Sequence, residues 1–500
     1  MSEAVLELES VSVPSAGERG SPTAARRRVL FVSYHFPPVG GAGVQRPVKF
    51  VKYLREFGWE PTVLRASNPS VPVFDESLCR DLPEGLRQIA ARTLEPAYDK
   101  KQALAKAGGG STSASWKRRL TAPLRAMVTA PLRLAARAAI QPDPQILWWP
   151  AAWRAARKVL REEPHDAVFA TAPPYSNLLL GGLLAREFNL PLVLDYRDEW
   201  DLSGEYLENS RKDPWTRFVQ ERMQRWILRR ADAIVATTRA STARVLARAR
   251  SAGGRCEAAC IYNGYDEADF PAESAGRPDI ANASTVPPPA PGTLRLVYTG
   301  TLWNLTSIDP VVRGLERLMQ IRPDASRRIE LVCVGRKTPE QQAHLDRLNG
   351  GPVALVVRDY CPHAEAVEWM RSADALLLLL TDGPGADRVA PAKLFEYLAV
   401  GKPILSVLPD GETASLVSEF WPEGWFVPSR VDAIADWLAR AVDARTVGRE
   451  TPGSGMLAPL GPVERVGAER FSRRGLAGQL GTLLDELVDR RESVREGRPC

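Results

Sequence analysis

Short runs of apolar residues alternate with amphipathic stretches along most of this 500-residue chain. Near the start, residues 28–33 are typical of a buried strand, and a glycine-containing loop, an apolar stripe at helical spacing and a second strand at 61–64 follow. Strand, loop, helix and strand in this order predict the beginning of a parallel α/β sheet. The same pattern continues in further predicted strands, at 166–170, 192–194, 233–236 and 258–262.

A second series of strands and helices predicts a second α/β module. Its predicted strands lie at 294–298, 329–334, 353–357, 373–379 and 403–407. A stretch with six prolines, 271–293, predicts a linker between the modules. The domain prediction is a disordered tail at 1–25, a Rossmann-like domain at 26–270, the linker, a second Rossmann-like domain at 294–463, and a C-terminal helix and tail at 464–500.

Composition is typical of a soluble globular protein, with 44% hydrophobic and 25% charged residues. The longest apolar runs fall far short of the ~20 residues of a membrane-spanning helix, and the N-terminus does not have the pattern of a signal peptide. Six irregularly spaced cysteines form no pair of CxxC motifs, so no zinc site is expected. A cytoplasmic protein without a structural metal is predicted.

A basic segment accounts for the net charge of +6, because residues 100–140 hold nine basic residues and no acidic one. Within it, residues 115–140 have an amphipathic helical pattern. Such a segment suits either the anionic surface of a membrane or a helix packed on the first module with its arginines in water. Nucleic acid is disfavoured, since the segment lacks a binding motif and interleaved aromatic residues.

The first glycine loop, residues 40–43, lies where a parallel α/β sheet binds anions. A dinucleotide motif GxGxxG would need a third glycine at the position of Arg46, and the second strand ends at Arg65 without an acidic residue nearby. A nicotinamide cofactor is therefore not expected. The glycines serve either a tight turn or the close approach of an anion.

The second module contains a helix predicted to begin near Pro391. Lys393 and Glu396 lie on one side of it, near the positive end of the helix dipole. A phosphate there would meet free N–H groups and an ammonium, and Glu396 would accept hydrogen bonds from sugar hydroxyls. The alternative is a solvated Lys–Glu surface pair.

Five segments in register resemble glycosyltransferases of family 4, which bind nucleotide sugars. They read Pro37-Pro-Val-Gly-Gly41, Asp195-Tyr-Arg-Asp-Glu-Trp200, Tyr262-Asn-Gly-Tyr-Asp266, Tyr298-Thr-Gly-Thr-Leu302 and Lys393-Leu-Phe-Glu-Tyr-Leu-Ala-Val-Gly-Lys-Pro403. The resemblance implies the GT-B fold, two Rossmann-like domains facing each other across a cleft. It also implies transfer of a sugar from a nucleotide diphosphate sugar to a hydroxyl, with retention and without an obligatory metal or other cofactor.

The resemblance also assigns roles to individual residues. Glu396 would hold the nucleotide ribose, and Lys393 and the amides of Leu394 and Phe395 the diphosphate or sugar. The stretch around Tyr360–His363 would border the base. Gly40 and Gly41 would let the donor phosphates approach the first domain. Arg197, Asp198 and Trp200 would face the acceptor, which we expect to be lipid-linked or a polysaccharide at the inner membrane face. Asp198 or His35 would orient the acceptor hydroxyl or accept its proton.

Two departures from the family pattern keep alternatives open. Arg388 stands where the family often has a glutamate on the donor sugar, and residues 301–306 hold no cation where Arg and Lys often neutralise the diphosphate. Lys393, Arg388, Arg336 or Lys337 would have to stabilise the leaving group. The alternatives are a sugar-nucleotide 2-epimerase, which shares the fold, and an inactive relative that binds sugar nucleotide or polysaccharide as an assembly factor.

Overall fold

The computed structural model describes residues 26–98, 140–202, 213–270, 286–447 and 467–496. The predicted tail at 1–25 and nearly all of the basic segment lie outside these residues, as does most of the predicted linker. The chain divides into two compact units. Unit 1 comprises the described residues within Met1–Thr237, Thr242–Ile261 and Ala477–Cys500. Unit 2 comprises those within Thr238–Ser241 and Tyr262–Leu476.

Unit 1 contains a parallel sheet of seven strands in the order β3-β2-β1-β4-β5-β6-β7 within the described residues. The strands are β1 Arg27–Val32, β2 Trp59–Ala66, β3 Arg87–Ala91, β4 Ala167–Ala172, β5 Leu192–Tyr196, β6 Ala233–Ala236 and β7 Glu257–Cys260. Helices Ala42–Tyr53, Trp149–Glu162, Ser176–Phe188, Pro214–Leu228 and Arg239–Ser251 connect them. Every residue of β4, β5 and β6 is buried, which explains their continuous apolar sequence.

The end of the final helix, Arg473–Arg495, belongs to unit 1. Gly478 makes room for the Phe57 ring, since a Cβ there would lie 2.8 Å from a ring carbon. Arg27 Nη1 donates to Asp485 at 2.8 Å on the same helix. These contacts attach the final helix to β1, through Arg27, and to the turn that follows the Ala42–Tyr53 helix, through Phe57.

Unit 2 contains a second parallel sheet, of six strands in the order β10-β9-β8-β11-β12-β13 within the described residues. The strands are β8 Leu294–Thr299, β9 Ile329–Val334, β10 Ala354–Arg358, β11 Ala375–Leu379, β12 Ile404–Val407 and β13 Trp425–Phe426. Its helices are Asp309–Ile321, Pro323–Ser326, Pro339–Asp346, His363–Ser372, Ala392–Val400, Glu412–Phe420 and Val431–Val447. The predicted α/β architecture of two Rossmann-like modules is thus confirmed.

The segment from Tyr262 to Asp266 supports the Ala392–Val400 helix in unit 2. The Tyr262 ring lies 5.9 Å from that of Phe395 and 5.3 Å from that of Phe471, and Phe395 and Phe471 are 4.8 Å apart. Gly264 has φ +70°, and a Cβ there would lie 2.3 Å from the Phe471 carbonyl oxygen. Only glycine fits this turn, so this segment packs behind the helix as scaffold.

Candidate donor site

The strand order of unit 2 reverses between the neighbouring strands β8 and β11. Ligands of parallel α/β sheets bind at such a point, beyond the carboxyl ends of the strands. The loops after β8 and β9 are joined there, because Leu302 N donates to Arg336 O at 2.8 Å and Thr338 N donates to Leu302 O at 3.1 Å. The two loops form one continuous edge beside the switch point.

The Ala392–Val400 helix begins after Pro391, as the sequence predicts, and buries Leu394, Phe395 and Tyr397. Lys393 and Glu396 are half-buried on its other side. Its N-terminus receives no side-chain cap and has no acidic residue in the first turn. The first amides and the dipole therefore present positive potential where an anion would bind.

Lys393 connects this helix to the end of β8. Its Nζ donates to Tyr298 Oη at 2.6 Å, and Tyr298 Oη donates to Thr301 O at 2.9 Å. A Cβ at Gly300 would lie 2.8 Å from Nζ, so a larger residue there would displace the ammonium from this position. Burial lowers the pKa of Lys393 to about 7, and the charge of Glu396 partly offsets this effect. The amine is therefore partly protonated near neutral pH and gains from an anionic ligand.

Glu396 lies one helical turn after Lys393 and faces a histidine. His363 Nε2 is 3.8 Å from Glu396 Oε1 and 3.5 Å from Asp269 Oδ2. All three side chains are about one-fifth to one-quarter exposed, at 21–24%. His363 thus lies between the two carboxylates, within ion-pair distance of each.

The other cations predicted for the donor have different surroundings. Lys337 Nζ donates to the carbonyls of Gly335 and Arg358, both at 2.6 Å, and burial lowers its pKa. It therefore joins the ends of β9 and β10. Arg336 is exposed beside it. The guanidinium of Arg388 lies 3.3 Å from Asp387 Oδ1.

Tyr360, predicted to border the base, lies between β10 and the helix that begins at His363. Its side chain is 43% exposed. The contact of this ring with the base stays a prediction.

In unit 1, the first glycine loop turns sharply into the Ala42–Tyr53 helix. Gly41 has φ +105° and precedes that helix. Gly40 N donates to Val73 O at 3.1 Å, and a Cβ at Gly40 would lie 2.9 Å from the Val73 side chain. The glycines thus meet a packing requirement of the loop itself. His35 is half-buried at the end of β1, and its carbonyl accepts a hydrogen bond from Ser33 Oγ at 2.8 Å.

The residues predicted to face the acceptor differ in exposure. The guanidinium of Arg197 donates to the carbonyls of Gly43, Ala172 and Pro173, so it holds loops together. Asp198 is exposed. Trp200 is 2% exposed and its ring stacks on Tyr175 at 4.7 Å. Of these three side chains, Asp198 has the exposure that contact with an acceptor requires.

Two contacts of this arrangement were not predicted from the sequence, that of Tyr298 with Lys393 and that of His363 with Glu396. Tyr298 belongs to the segment that resembles the family, but its ring gave no sign that it would accept a hydrogen bond from Lys393. His363 ends the stretch predicted to border the base and starts a helix. Its position near Glu396 depends on tertiary structure, since the two are 33 positions apart.

In the part of the chain that the structure describes, no helix is both long and apolar enough to cross a membrane.

Comparisons with known proteins agree with this description. Residues 40–264 match the model of the glycosyl transferase 4-like domain family. The sequence has no significant match among curated proteins. A solved structure of the N-terminal domain of Candida albicans trehalose-6-phosphate phosphatase is 13% identical, with a TM-score of 0.56, over 94% of this chain and 98% of that one.

Two bacterial structures are similar to the same extent. The UDP-forming α,α-trehalose-phosphate synthase of Burkholderia vietnamiensis is 14% identical, with a TM-score of 0.55, over 94% of this chain and 99% of that one. The α,α-trehalose 6-phosphate synthase of Burkholderia multivorans is 13% identical, with a TM-score of 0.53, over 95% and 99%. At this identity the likeness is one of fold. Residues 40–264 thus resemble the glycosyl transferase 4-like domain, and the two Rossmann-like units give the chain the fold of these solved structures.

Proposed function

We propose that the protein transfers a sugar from a nucleotide diphosphate sugar to a hydroxyl of a lipid-linked or polysaccharide acceptor, with retention and without a metal or other cofactor. The observation that carries the proposal is the Lys393 ammonium beside Gly300, at the uncapped beginning of the Ala392–Val400 helix. A UDP-forming synthase is among the solved structures that share the fold, which supports a nucleotide diphosphate as leaving group.

The donor's diphosphate would lie between Lys393 and the first amides of this helix. As the glycosidic bond breaks, negative charge grows on the leaving phosphate, and Lys393 together with the helix dipole would stabilise it. A preorganised ammonium held by Tyr298 needs little rearrangement to do so. Glu396, which lies 3.8 Å from His363 Nε2, would accept hydrogen bonds from the ribose.

Unit 1 would supply the acceptor side. Asp198 is exposed and His35 is half-buried at the end of β1, and either would orient the attacking hydroxyl or accept its proton. The hydroxyl would attack from the face that the leaving group vacates, so no protein nucleophile is required. We place the protein in the cytoplasm, at the inner membrane face if its acceptor is lipid-linked.

A single assay separates this function from its alternatives. Release of nucleoside diphosphate is measured over a panel of donors, with and without membrane lipid extract. Release that depends on the acceptor supports transfer. Interconversion of the donor sugar without release would indicate an epimerase. Binding without turnover would indicate an assembly factor, the alternative that Arg388 keeps open because it stands in the position of a family glutamate.

A further inference from the structure

The Pro214–Leu228 helix of unit 1 has an exposed face of unusual chemistry. Gln220, Gln224, Ile227 and Leu228 are buried and attach the helix to the unit. On the opposite side, Trp215 is 55% exposed and Phe218 is 53% exposed. Single exposed aromatic residues are common, but two large rings in contact on one helix are not needed for folding.

Basic side chains share this face with the aromatic rings. A helix turns about 100° per residue, so Trp215, Phe218, Arg222 and Arg225 fall within an arc of about 80°. All four are exposed. The two rings lie 6.1 Å apart, and the Arg222 guanidinium is 5.7 Å from the Phe218 ring centre. We call these four residues the aromatic–arginine face.

The helix has one acidic residue, Glu221, which is exposed at the border of this face, one turn before Arg225. Glu221 falls just outside the arc, by the same helical geometry. Asp213 precedes the helix, and its carboxylate accepts hydrogen bonds from Thr216 N at 3.0 Å and Thr216 Oγ1 at 2.7 Å. The aromatic–arginine face therefore combines positive charge with apolar area, without a neutralising carboxylate inside the arc.

We propose that the aromatic–arginine face docks onto an anionic lipid bilayer surface. Trp and Phe enter the boundary between headgroups and acyl chains, and arginines on the same side pair with anionic headgroups. The charge complementarity favours lipid as the occupant. Docking of this face does not require the donor site of unit 2. If the acceptor is lipid-linked, this surface would bring unit 1 to it.

Vesicle flotation with the full-length protein tests the proposal. We expect binding to vesicles of equal parts phosphatidylcholine and phosphatidylglycerol, and none to phosphatidylcholine alone. Each arginine near the surface contributes about 1 kcal/mol, so R222Q/R225Q should bind about tenfold or more weakly. W215S/F218S should lose a similar factor because it removes the inserted rings. The matched control is R244Q/R250Q, which removes the same charge from exposed positions on the neighbouring Arg239–Ser251 helix.

Several outcomes would overturn the proposal. One is that wild-type protein does not bind the anionic vesicles, or that W215S/F218S binds them like wild type. Another is that R244Q/R250Q weakens binding as much as R222Q/R225Q, which would indicate general charge attraction. Self-association that W215S/F218S abolishes while vesicle binding persists would indicate a protein partner. Donor binding measured without lipid should be the same in all variants, so this test is independent of the proposed function.

Discussion

Arg46 and Asp195 form an ion pair in the core of unit 1, with Arg46 Nη2 2.9 Å and Arg46 Nε 3.0 Å from Asp195 Oδ1. Both side chains are at most 2% exposed. Arg46 Nη1 also donates to Ile261 O at 2.8 Å, and Thr171 Oγ1 donates to Asp195 Oδ2 at 2.7 Å. The pair thus joins the first helix to the ends of β4, β5 and β7, and explains why an arginine replaces the third glycine of a dinucleotide motif.

Breaking this pair on one side should destabilise unit 1. Asp195→Asn leaves the Arg46 guanidinium buried without a full counter-charge, which costs about 3–5 kcal/mol. Hydrogen exchange of the β5 amides reports the local free energy of opening. The double variant Arg46→Met/Asp195→Leu removes both charges and should be less destabilised than Asp195→Asn. Equal protection of β5 in wild type and Asp195→Asn would contradict the role of the pair.

Donor affinity should fall as the pH rises through the pKa of Lys393, about 7. Below that pH the ammonium is present and attracts the diphosphate, and above it the free protein must take up a proton to bind. Titration calorimetry with UDP as the probe, in buffers of different ionisation enthalpy, should show proton uptake on binding at pH 8. Lys393→Met should bind weakly at every pH and show no uptake. An unchanged uptake in Lys393→Met would assign the proton to another group.

Without a ligand, the buried Lys393 side chain should lower the stability of unit 2. Its pKa in the folded protein lies below the unfolded value of 10.5. Between these two pH values the unfolded chain binds more protons, so this group makes stability rise with pH. Lys393→Met should therefore raise the unfolding free energy of unit 2 by about 1 kcal/mol at neutral pH. A destabilised Lys393→Met would mean that its bond to Tyr298 outweighs the cost of burial.

Gly300→Ala should weaken donor binding through the position of Lys393. The new Cβ would lie 2.8 Å from Nζ and displace the ammonium, which should reduce affinity about tenfold or more. Gly292→Ala is a matched control, since Gly292 has φ +74° with no atom near the added Cβ. Both changes place alanine at a positive φ, +121° at Gly300 and +74° at Gly292, which costs about 1–3 kcal/mol. If Gly292→Ala weakens UDP binding equally, strain rather than the displaced ammonium is the cause.

The sequence alone predicted most strands of both sheets because they are buried on both faces and read as continuous apolar runs. It missed β3, whose pattern of half-exposed residues lacks such a run, and the two-residue β13. It also predicted the helix of Lys393 and Glu396, because proline and glycine mark its ends.

Side-chain partners could not be predicted in the same way. Arg46 and Asp195 are 149 positions apart and Lys393 and Tyr298 are 95 apart, so only the fold brings them together. Trp200 shows a related difficulty. An aromatic residue next to charged ones has the same sequence pattern whether it faces a ligand or, as here, stacks in a core.

Thermal stabilisation of the protein by a nucleotide sugar tests the proposed donor site most directly. A donor at about 100 times its dissociation constant should stabilise the wild type by ~2.7 kcal/mol. We expect Glu396→Ala to lose this shift for every donor that stabilises the wild type, and a Glu423→Ala control on the same unit to keep it. An undiminished shift in Glu396→Ala would contradict the placement of the nucleotide at the Ala392–Val400 helix.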